Sequence, residues 1–286
     1  MSGLPPGPPP EPGLHLVATP IGTARDITLR ALDTLRAADM LLAEDTRTLR
    51  KLMEIHGIPL AGRPLWSYHD HNGARMRPKV LEALAEGRSV AFASDAGTPM
   101  VADPGFDLAR AATEAGHKVT AVPGPSAPLV ALSLAGLPTD RFLFAGFLPS
   151  AQGARDTALR DLAGVPATLV FFETAKRSLP MLNHCVAILG DRDAAICREL
   201  TKKFEEVRRG RLSDLIAGCE DDPLRGEVVV VIDRARDTAD AEDVEDAMRR
   251  ALETMRVKEA ANTVAEAFAL KKRDAYQLAL RLSNEE

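Results

Sequence analysis

Ser94-Asp-Ala-Gly-Thr-Pro-Met-Val-Ala-Asp-Pro-Gly105 is the stretch whose reading decides the fold. It follows Arg88-Ser-Val-Ala-Phe-Ala93, a short apolar run of the kind that forms a strand buried on both faces. It precedes Phe106–Ala115, which reads as a helix. Strand, Gly- and Pro-bearing turn and helix, in that order, make one step of an open α/β sheet, and such sheets bind ligands beyond the carboxyl ends of their strands. Gly97 lets a ligand approach the backbone closely, while Pro99 and Pro104 stiffen the loop. Asp95 and Asp103 set two acceptors at its mouth; the plainer reading makes them turn or cap residues.

Working outward toward the amino terminus, Leu14–Ala18 reads as the first strand and Thr19-Pro-Ile-Gly-Thr23 as a tight loop. Asp26 or Thr28 then caps a helix running to about Arg36. The loop holds a glycine but lacks the G-x-G-x-x-G spacing of a dinucleotide site. Asp39–Ala43 is a second strand and ends in Glu44-Asp45-Thr46-Arg47. There, Asp45 or Thr46 caps a helix over Leu49–His56, with Arg47 in solvent. Ser67-Tyr-His-Asp-His-Asn72 crowds two histidines, a tyrosine and an aspartate into six residues. An extended segment would point His69 and His71 one way. With no matching ligand cluster elsewhere, recognition or loop structure is expected of it rather than a metal.

Toward the carboxyl terminus, Lys118–Val122 is a strand, followed by Pro123-Gly-Pro-Ser-Ala127 and an apolar helix over Leu129–Leu134. Ser126 is placed either to cap that helix or to receive a polar group of a cofactor. Phe142–Leu148 and Thr168–Phe172 are strands; Glu173-Thr-Ala-Lys-Arg177 then leads into a helix through about Val186. Ala194–Cys197, Val207–Gly210 and Glu227–Ile232 complete the strands, the last at the edge or the centre of its sheet. The final stretch differs in kind. Ala241–Met255, Val257–Phe268 and Lys271–Leu282 read as helices in a helix-turn-helix-like arrangement. Asp243, Glu245 and Asp246 stand early in the first of them and Arg249 and Arg250 late, as the helix dipole favours. Lys271, Lys272 and Arg273 open the last helix, where side-chain charge and free N–H groups suit a phosphate; a solvated helical cap is the plainer reading.

Composition sets the bounds. With 286 residues, 45% of them hydrophobic, the chain can bury a substantial core. The expected organisation is α/β: a first domain over 14–122, a second over 123–236 and a helical segment over 240–286. Met1–Gly13 is Pro-rich and reads as a disordered tail. No apolar run approaches a membrane span and no signal peptide is evident. Cys185, Cys197 and Cys219 are odd in number and lack metal-ligand spacing, so a reduced cytoplasmic protein is expected. A net charge of −5 leaves any RNA contact to local basic patches.

Taken together, the motifs carry a resemblance. Ala18-Thr-Pro-Ile-Gly-Thr-Ala-Arg-Asp-Ile-Thr28, Ala43-Glu-Asp-Thr-Arg47, Ser67–Asn72 and Ser94–Gly105 stand in this order. Pro123–Ala127, Gly146-Phe-Leu-Pro149 and Cys197-Arg-Glu-Leu-Thr-Lys-Lys-Phe-Glu-Glu206 follow. The chain so resembles the S-adenosylmethionine-dependent tetrapyrrole methylase superfamily, and within it the branch that acts on ribosomal RNA. Cobalamin and sirohaem methylases share the fold and cofactor loops but not the Glu-Asp-Thr-Arg and His-Asp-His-Asn pieces. The resemblance implies two α/β domains with S-adenosylmethionine in the cleft between them and a homodimer as the working unit. It also implies methylation of a cytidine ribose 2′-hydroxyl in 16S rRNA, at the decoding region of the small ribosomal subunit. Porphyrinoid methylation and a non-catalytic ribosome-binding role are the alternatives.

Carried over motif by motif, the resemblance puts Ile21, Gly22, Asp95, Ala96, Gly97, Thr98, Val101, Ser126, Ala127 and Phe172 around the cofactor. Family members usually carry Tyr-Glu-Ser-Pro-His-Arg where this chain has Phe172-Glu-Thr-Ala-Lys-Arg177, so a hydroxyl and an imidazole are missing while Glu173 and Arg177 stay in register. Methyl transfer to a hydroxyl needs alignment and removal of a proton, and Asp45, His71, Asp103 and Glu173 are the candidate bases. Gly97→Val is expected to weaken cofactor binding with little loss of fold, and Lys271, Lys272 and Arg273 to contact RNA.

Overall fold

The computed structural model describes residues 7–235, 241–268, 270 and 272–283. The first half of the Pro-rich tail (1–6) and Lys271 lie outside the described residues.

The first sheet is wholly parallel, and its strands read as near-continuous apolar runs because helices cover both faces. Strands β1 (Gly13–Val17), β2 (Met40–Ala43), β3 (Leu65–Ser67), β4 (Ser89–Ala93) and β5 (Val119–Val122) lie in the order β3-β2-β4-β1-β5. Side-chain alternation sorts each strand. Leu14, Leu16, Met40, Leu42, Val90 and Phe92 face the helices α3 (Gly73–Ala85) and α4 (Phe106–Glu114). Val17, Leu41, Ala43, Ala91 and Ala93 face α1 (Leu29–Ala37) and α2 (Thr46–Ile55). Thr28 caps α1 through its side chain, which accepts from the Ala31 N–H at 3.2 Å. Asp45 caps α2, so that helix starts three residues before the apolar pattern of Leu49 onward indicates.

Strand β1 pairs with β4 on one side and β5 on the other, with Leu14 in register with both Val90 and Val119. This sets the loops after β1, β4 and β5 side by side. The pairing continues past the strands: Thr19 and Gly97 exchange backbone hydrogen bonds of 2.9 and 3.0 Å. Behind the central loop, Gly105 has φ +125° and any Cβ there would collide with the Phe92 ring. Only glycine fits that turn.

Helix α5 (Ala127–Ala135) packs on the second sheet, burying Ala131, Leu132 and Ala135 against Val170, Ala195, Cys197 and Val231. That sheet has the order β6-β7-β10-β8-β9, from β6 (Phe142–Phe147), β7 (Thr168–Thr174), β8 (Asp193–Arg198), β9 (Glu206–Arg211) and β10 (Glu227–Ile232). β6 and β7 are parallel and the remaining neighbours antiparallel. β10, whose place the sequence left open, is central. Its opposite face is covered by α6 (Gln152–Ala163), α7 (Ala175–Leu189) and α8 (Leu212–Asp221).

Residues 235–286 form a separate compact unit. Its helices α9 (Ala241–Leu252), α10 (Val257–Ala267) and α11 (Lys272–Ser283) enclose their own core of Val244, Met248, Ala261, Val264, Ala279 and Leu282. No helix among the described residues is long and apolar enough to cross a membrane. The three cysteines are free and buried.

Candidate active site

The loops after β1, β4 and β5 form one wall of a cavity of about 370 Å3, and the second sheet forms the other. That volume falls in the range of about 300–1,000 Å3 usual for small-molecule sites. Ile21 comes from the first loop. Ala96, Gly97, Thr98, Val101 and Asp103 come from the central loop, and Ser126 and Ala127 from the third. Phe172 and Glu173 face them from β7.

The loops are tied to one another rather than merely adjacent. Thr98 Oγ1 donates to the Pro125 carbonyl at 3.0 Å, and Ser94 Oγ donates to the Gly97 carbonyl at 2.6 Å. Gly97 adopts φ +80°, and a Cβ there would lie 3.3 Å from Ile21 Cγ2 and 3.7 Å from the Pro125 oxygen. This corrects the expectation that Gly97→Val spares the fold: a side chain at this position is strained by its backbone conformation as well as by its surroundings. Met100 and Ala102 also have positive φ, 68° and 63°, so the central loop concentrates backbone strain. Ser126 stands at the N-cap of α5, yet its hydroxyl makes no capping hydrogen bond. It lines the cavity at a helix N-terminus, with no hydrogen-bond partner for its hydroxyl among the described residues.

The opposite wall is aromatic. Phe172 meets Phe144 edge-on at 4.8 Å and Phe147 at 5.6 Å between ring centroids. Leu200 and Val229 extend this apolar surface. The cavity therefore has an apolar slot between Ile21 and the aromatic wall, and polar groups at Thr98, Ser126, Asp103 and Glu173.

Acidic groups differ sharply in state. Asp103 is pushed up to about 7, first by burial and then by the like charges of Glu44 and Asp95. Burial, with Asp95 and Asp70 beside it, also raises Glu44, and burial raises Asp95 although its Oδ1 accepts the Asp45 N–H at 2.9 Å. Asp45 behaves oppositely: Arg47 forks onto it with bonds of 2.5–3.1 Å and holds its carboxyl down at about 2. Arg47, read from sequence as solvated, is exposed and at the same time pairs with the α2 cap. Glu173 is 3% exposed; its Oε1 accepts from the Thr174 N–H at 2.8 Å and its Oε2 faces Arg177 at 3.2 Å. Arg177 is in turn fixed by the Leu148 carbonyl at 2.7 Å.

Of the residues singled out from sequence, Asp45, His71, Asp95 and Gly22 do not line the cavity. Gly22 approaches the second wall instead, where a Cβ would meet Thr201 Oγ1 at 2.5 Å and the Leu200 carbonyl at 2.8 Å. His71 is exposed in a turn, not in an extended segment. Asn72 closes that turn by accepting from the His69 N–H at 3.0 Å and donating to the Ser67 carbonyl at 3.0 Å. The two imidazoles nonetheless meet edge-on at 5.9 Å. No group of His, Cys, Asp or Glu suited to a metal ion occurs among the described residues. Sequence reasoning missed Phe147, Leu200 and Val229. The first two sit inside motifs quoted above, but only the packing of β6 and β8 against β7 and β10 turns them toward the cavity.

Comparison with known proteins places this geometry. Residues 13–216 match the family described as tetrapyrrole (corrin/porphyrin) methylases. Residues 238–283 match the RsmI C-terminal HTH domain. A protein of Mesorhizobium japonicum is 52% identical over 238 residues, 82% of this chain and 80% of its own length. One of Erythrobacter litoralis is 46% identical over 95% of this chain and 96% of its own, and one of Escherichia coli O157:H7 is 40% identical over 93% and 94%. All three are named ribosomal RNA small subunit methyltransferase I. Among solved structures, the methyltransferase CobJ superposes with a TM-score of 0.60 at 19% identity, covering 78% of this chain and 95% of its own. A uroporphyrin-III C-methyltransferase of Thermus thermophilus, complexed with S-adenosylhomocysteine, superposes at 0.53 with 24% identity, covering 77% and 97%. These two likenesses concern the fold.

Proposed function

The chain belongs to the tetrapyrrole methylase family and, within it, to the ribosomal RNA small subunit methyltransferase I group, and on that premise we propose that it transfers a methyl group from S-adenosylmethionine to the 2′-hydroxyl of a cytidine in 16S ribosomal RNA, at the decoding region of the small subunit. The observation that carries this reading is identity of 40–46% with relatives of that name over nearly the whole chain, together with the match of residues 238–283 to the RsmI C-terminal HTH domain. A cytoplasmic homodimer is the working form in this reading.

The residues present fit S-adenosylmethionine. The backbone of Gly97 is bare where a Cβ would meet Ile21, the free hydroxyl of Ser126 suits an amino or carboxylate group, and the slot beside Phe172 suits an adenine ring. Ala96, Thr98, Val101 and Ala127 complete the shell, with Gly22 and Asp95 supporting it from behind. When bound, the cofactor supplies a methyl group on a sulfonium, already a good leaving group. The protein's own tasks are alignment and proton removal. The tied loops hold one reactant, and Asp103 accepts the proton of the ribose 2′-hydroxyl. A base with its pKa near 7 is half-ionised at neutral pH and still basic enough to help. Asp45, held at about 2 by Arg47, is a poor base. Glu173 orients Arg177 and the start of α7, and exposed His71 serves RNA recognition.

The test presents purified protein and labelled S-adenosylmethionine with undermethylated small subunits and, separately, with a tetrapyrrole. Label in RNA alone is expected. Label in the tetrapyrrole alone would make this a porphyrinoid methylase, and label in neither would leave a ribosome-binding scaffold.

The carboxyl-terminal helices are assigned to RNA. Lys272 and Arg273 are exposed at the first turn of α11, with Lys271 just before it. Each phosphate neutralised releases counterions, so changing Lys271, Lys272 and Arg273 to Ala is expected to flatten the salt slope of subunit binding by up to about three contacts. Parallel log–log lines for mutant and wild type would mean the patch touches no phosphate.

A further inference from the structure

The loop from Glu199 to Glu205 links cavity and surface. Leu200 lines the cavity, whereas Phe204, four residues on, is 62% exposed. Two successive turns shorten the path between them: the Lys202 N–H donates to Glu199 O at 3.0 Å, and the Glu205 N–H to Lys202 O at 3.2 Å. Even fully extended, four residues reach only about 14 Å. A single exposed aromatic is ordinary. This one is held out by a loop built to keep its shape.

Glu199 and Thr201 adopt φ of 50° and 59°, a conformation that is an outlier for a β-branched residue. Lys202 Nζ joins Glu199 Oε1 at 3.2 Å and Glu227 Oε2 at 2.7 Å. Glu205 accepts the Thr201 N–H at 2.7 Å, and the Thr23 N–H donates to Thr201 Oγ1 at 3.2 Å, tying in the first cofactor loop. Glu206 is taken up by Arg198 and Arg208. The neighbouring carboxylates are thereby engaged within the fold. Lys203 has no carboxylate partner among the described residues and places Nζ over the Phe204 ring, 5.4 Å from its centroid.

We propose that Phe204, flanked by Lys203, is a stacking platform for an unpaired base of the RNA substrate, placed to hold the strand whose ribose enters the cavity. The inference rests on the RNA methyltransferase reading above and names residues of its acceptor side. A ribose hydroxyl reaches a buried base only when its nucleotide leaves the stack, and an exposed aromatic face with an adjoining cation recovers the lost stacking while drawing in the phosphate.

Phe204→Ala, Phe204→Leu and Phe204→Trp are compared with wild type on undermethylated small subunits. Alanine is expected to raise KM for the RNA about five- to a hundredfold, the range that loss of one stacked base produces, with S-adenosylmethionine affinity unchanged. Leucine, apolar but without a π face, should behave like alanine, and tryptophan should restore KM. The salt slope should not change with Phe204, because stacking neutralises no phosphate, and should flatten by about one contact in Lys203→Ala. Wild-type KM in the alanine variant overturns the proposal while leaving the RNA reading intact. So does leucine rescuing as well as tryptophan, or an unchanged KM with weakened self-association, which would make Phe204 a contact to a second copy. A wild-type protein that transfers no methyl to RNA removes both.

Discussion

Asp103→Asn is expected to lower the single-turnover rate of methyl transfer about a hundred- to ten-thousandfold, the usual contribution of a positioned base, with S-adenosylmethionine affinity little changed. In wild type the logarithm of the rate should climb with pH and level off near 7, where burial and the charges of Glu44 and Asp95 put the Asp103 carboxyl. Glu44→Gln removes one of those charges and should move the bend to lower pH. Stability provides an independent check with a fixed sign. The unfolded Asp103 releases its proton near 3.8 and the folded one near 7, so between these values the native state holds a proton the unfolded chain has lost. Folding stability contributed by this group therefore falls as pH rises through that window. The asparagine variant escapes that loss and should be the more stable protein at pH 8, although it is the less active one. A variant as active as wild type, or an unchanged pH profile, would remove Asp103 from the chemistry.

Gly97→Val should act on binding and fold together. Its φ of +80° costs a branched side chain about 1–3 kcal/mol, and the new atoms meet Ile21 and the Pro125 carbonyl. Denaturant unfolding should report a loss of that size, and calorimetry a drop in S-adenosylmethionine affinity of at least about tenfold. Gly97→Ala should show the same two effects, smaller. Wild-type affinity in a folded valine variant would mean that the ligand does not approach the backbone here.

What the sequence made legible follows from where the information lies. Buried parallel strands declare themselves, because β1, β2 and β4 are short, largely apolar runs, each followed by a polar or Gly- and Pro-bearing loop. The loops that line the cavity were legible for the same reason. β3, only Leu65–Ser67 and half-buried, carries no such signal, and α3 hides behind the internal Pro78. The rank of the acids could not be read at all. Asp45 and Asp103 each follow a strand, and only the folded neighbours decide that Arg47 pulls one to about 2 while Glu44, Asp95 and burial lift the other to about 7. Loop structure was legible at Ser67–Asn72, but its form was not: the Asn72 side chain closes a turn there, so His69 and His71 do not alternate along an extended segment. Contributions of the second sheet, Phe147, Leu200 and Val229, depend on a strand order that no local pattern encodes.

The central claim is that the methyl group arrives on a ribose hydroxyl of RNA. A 2′-O-methyl group blocks attack of that oxygen on the adjacent phosphate, so alkali cannot cleave the following linkage. Small subunits labelled by the wild-type protein, with their rRNA extracted and hydrolysed in alkali, test this directly. The predicted result is label in a single alkali-resistant dinucleotide beginning with cytidine. Label in a mononucleotide, on the base rather than the sugar, would contradict the account.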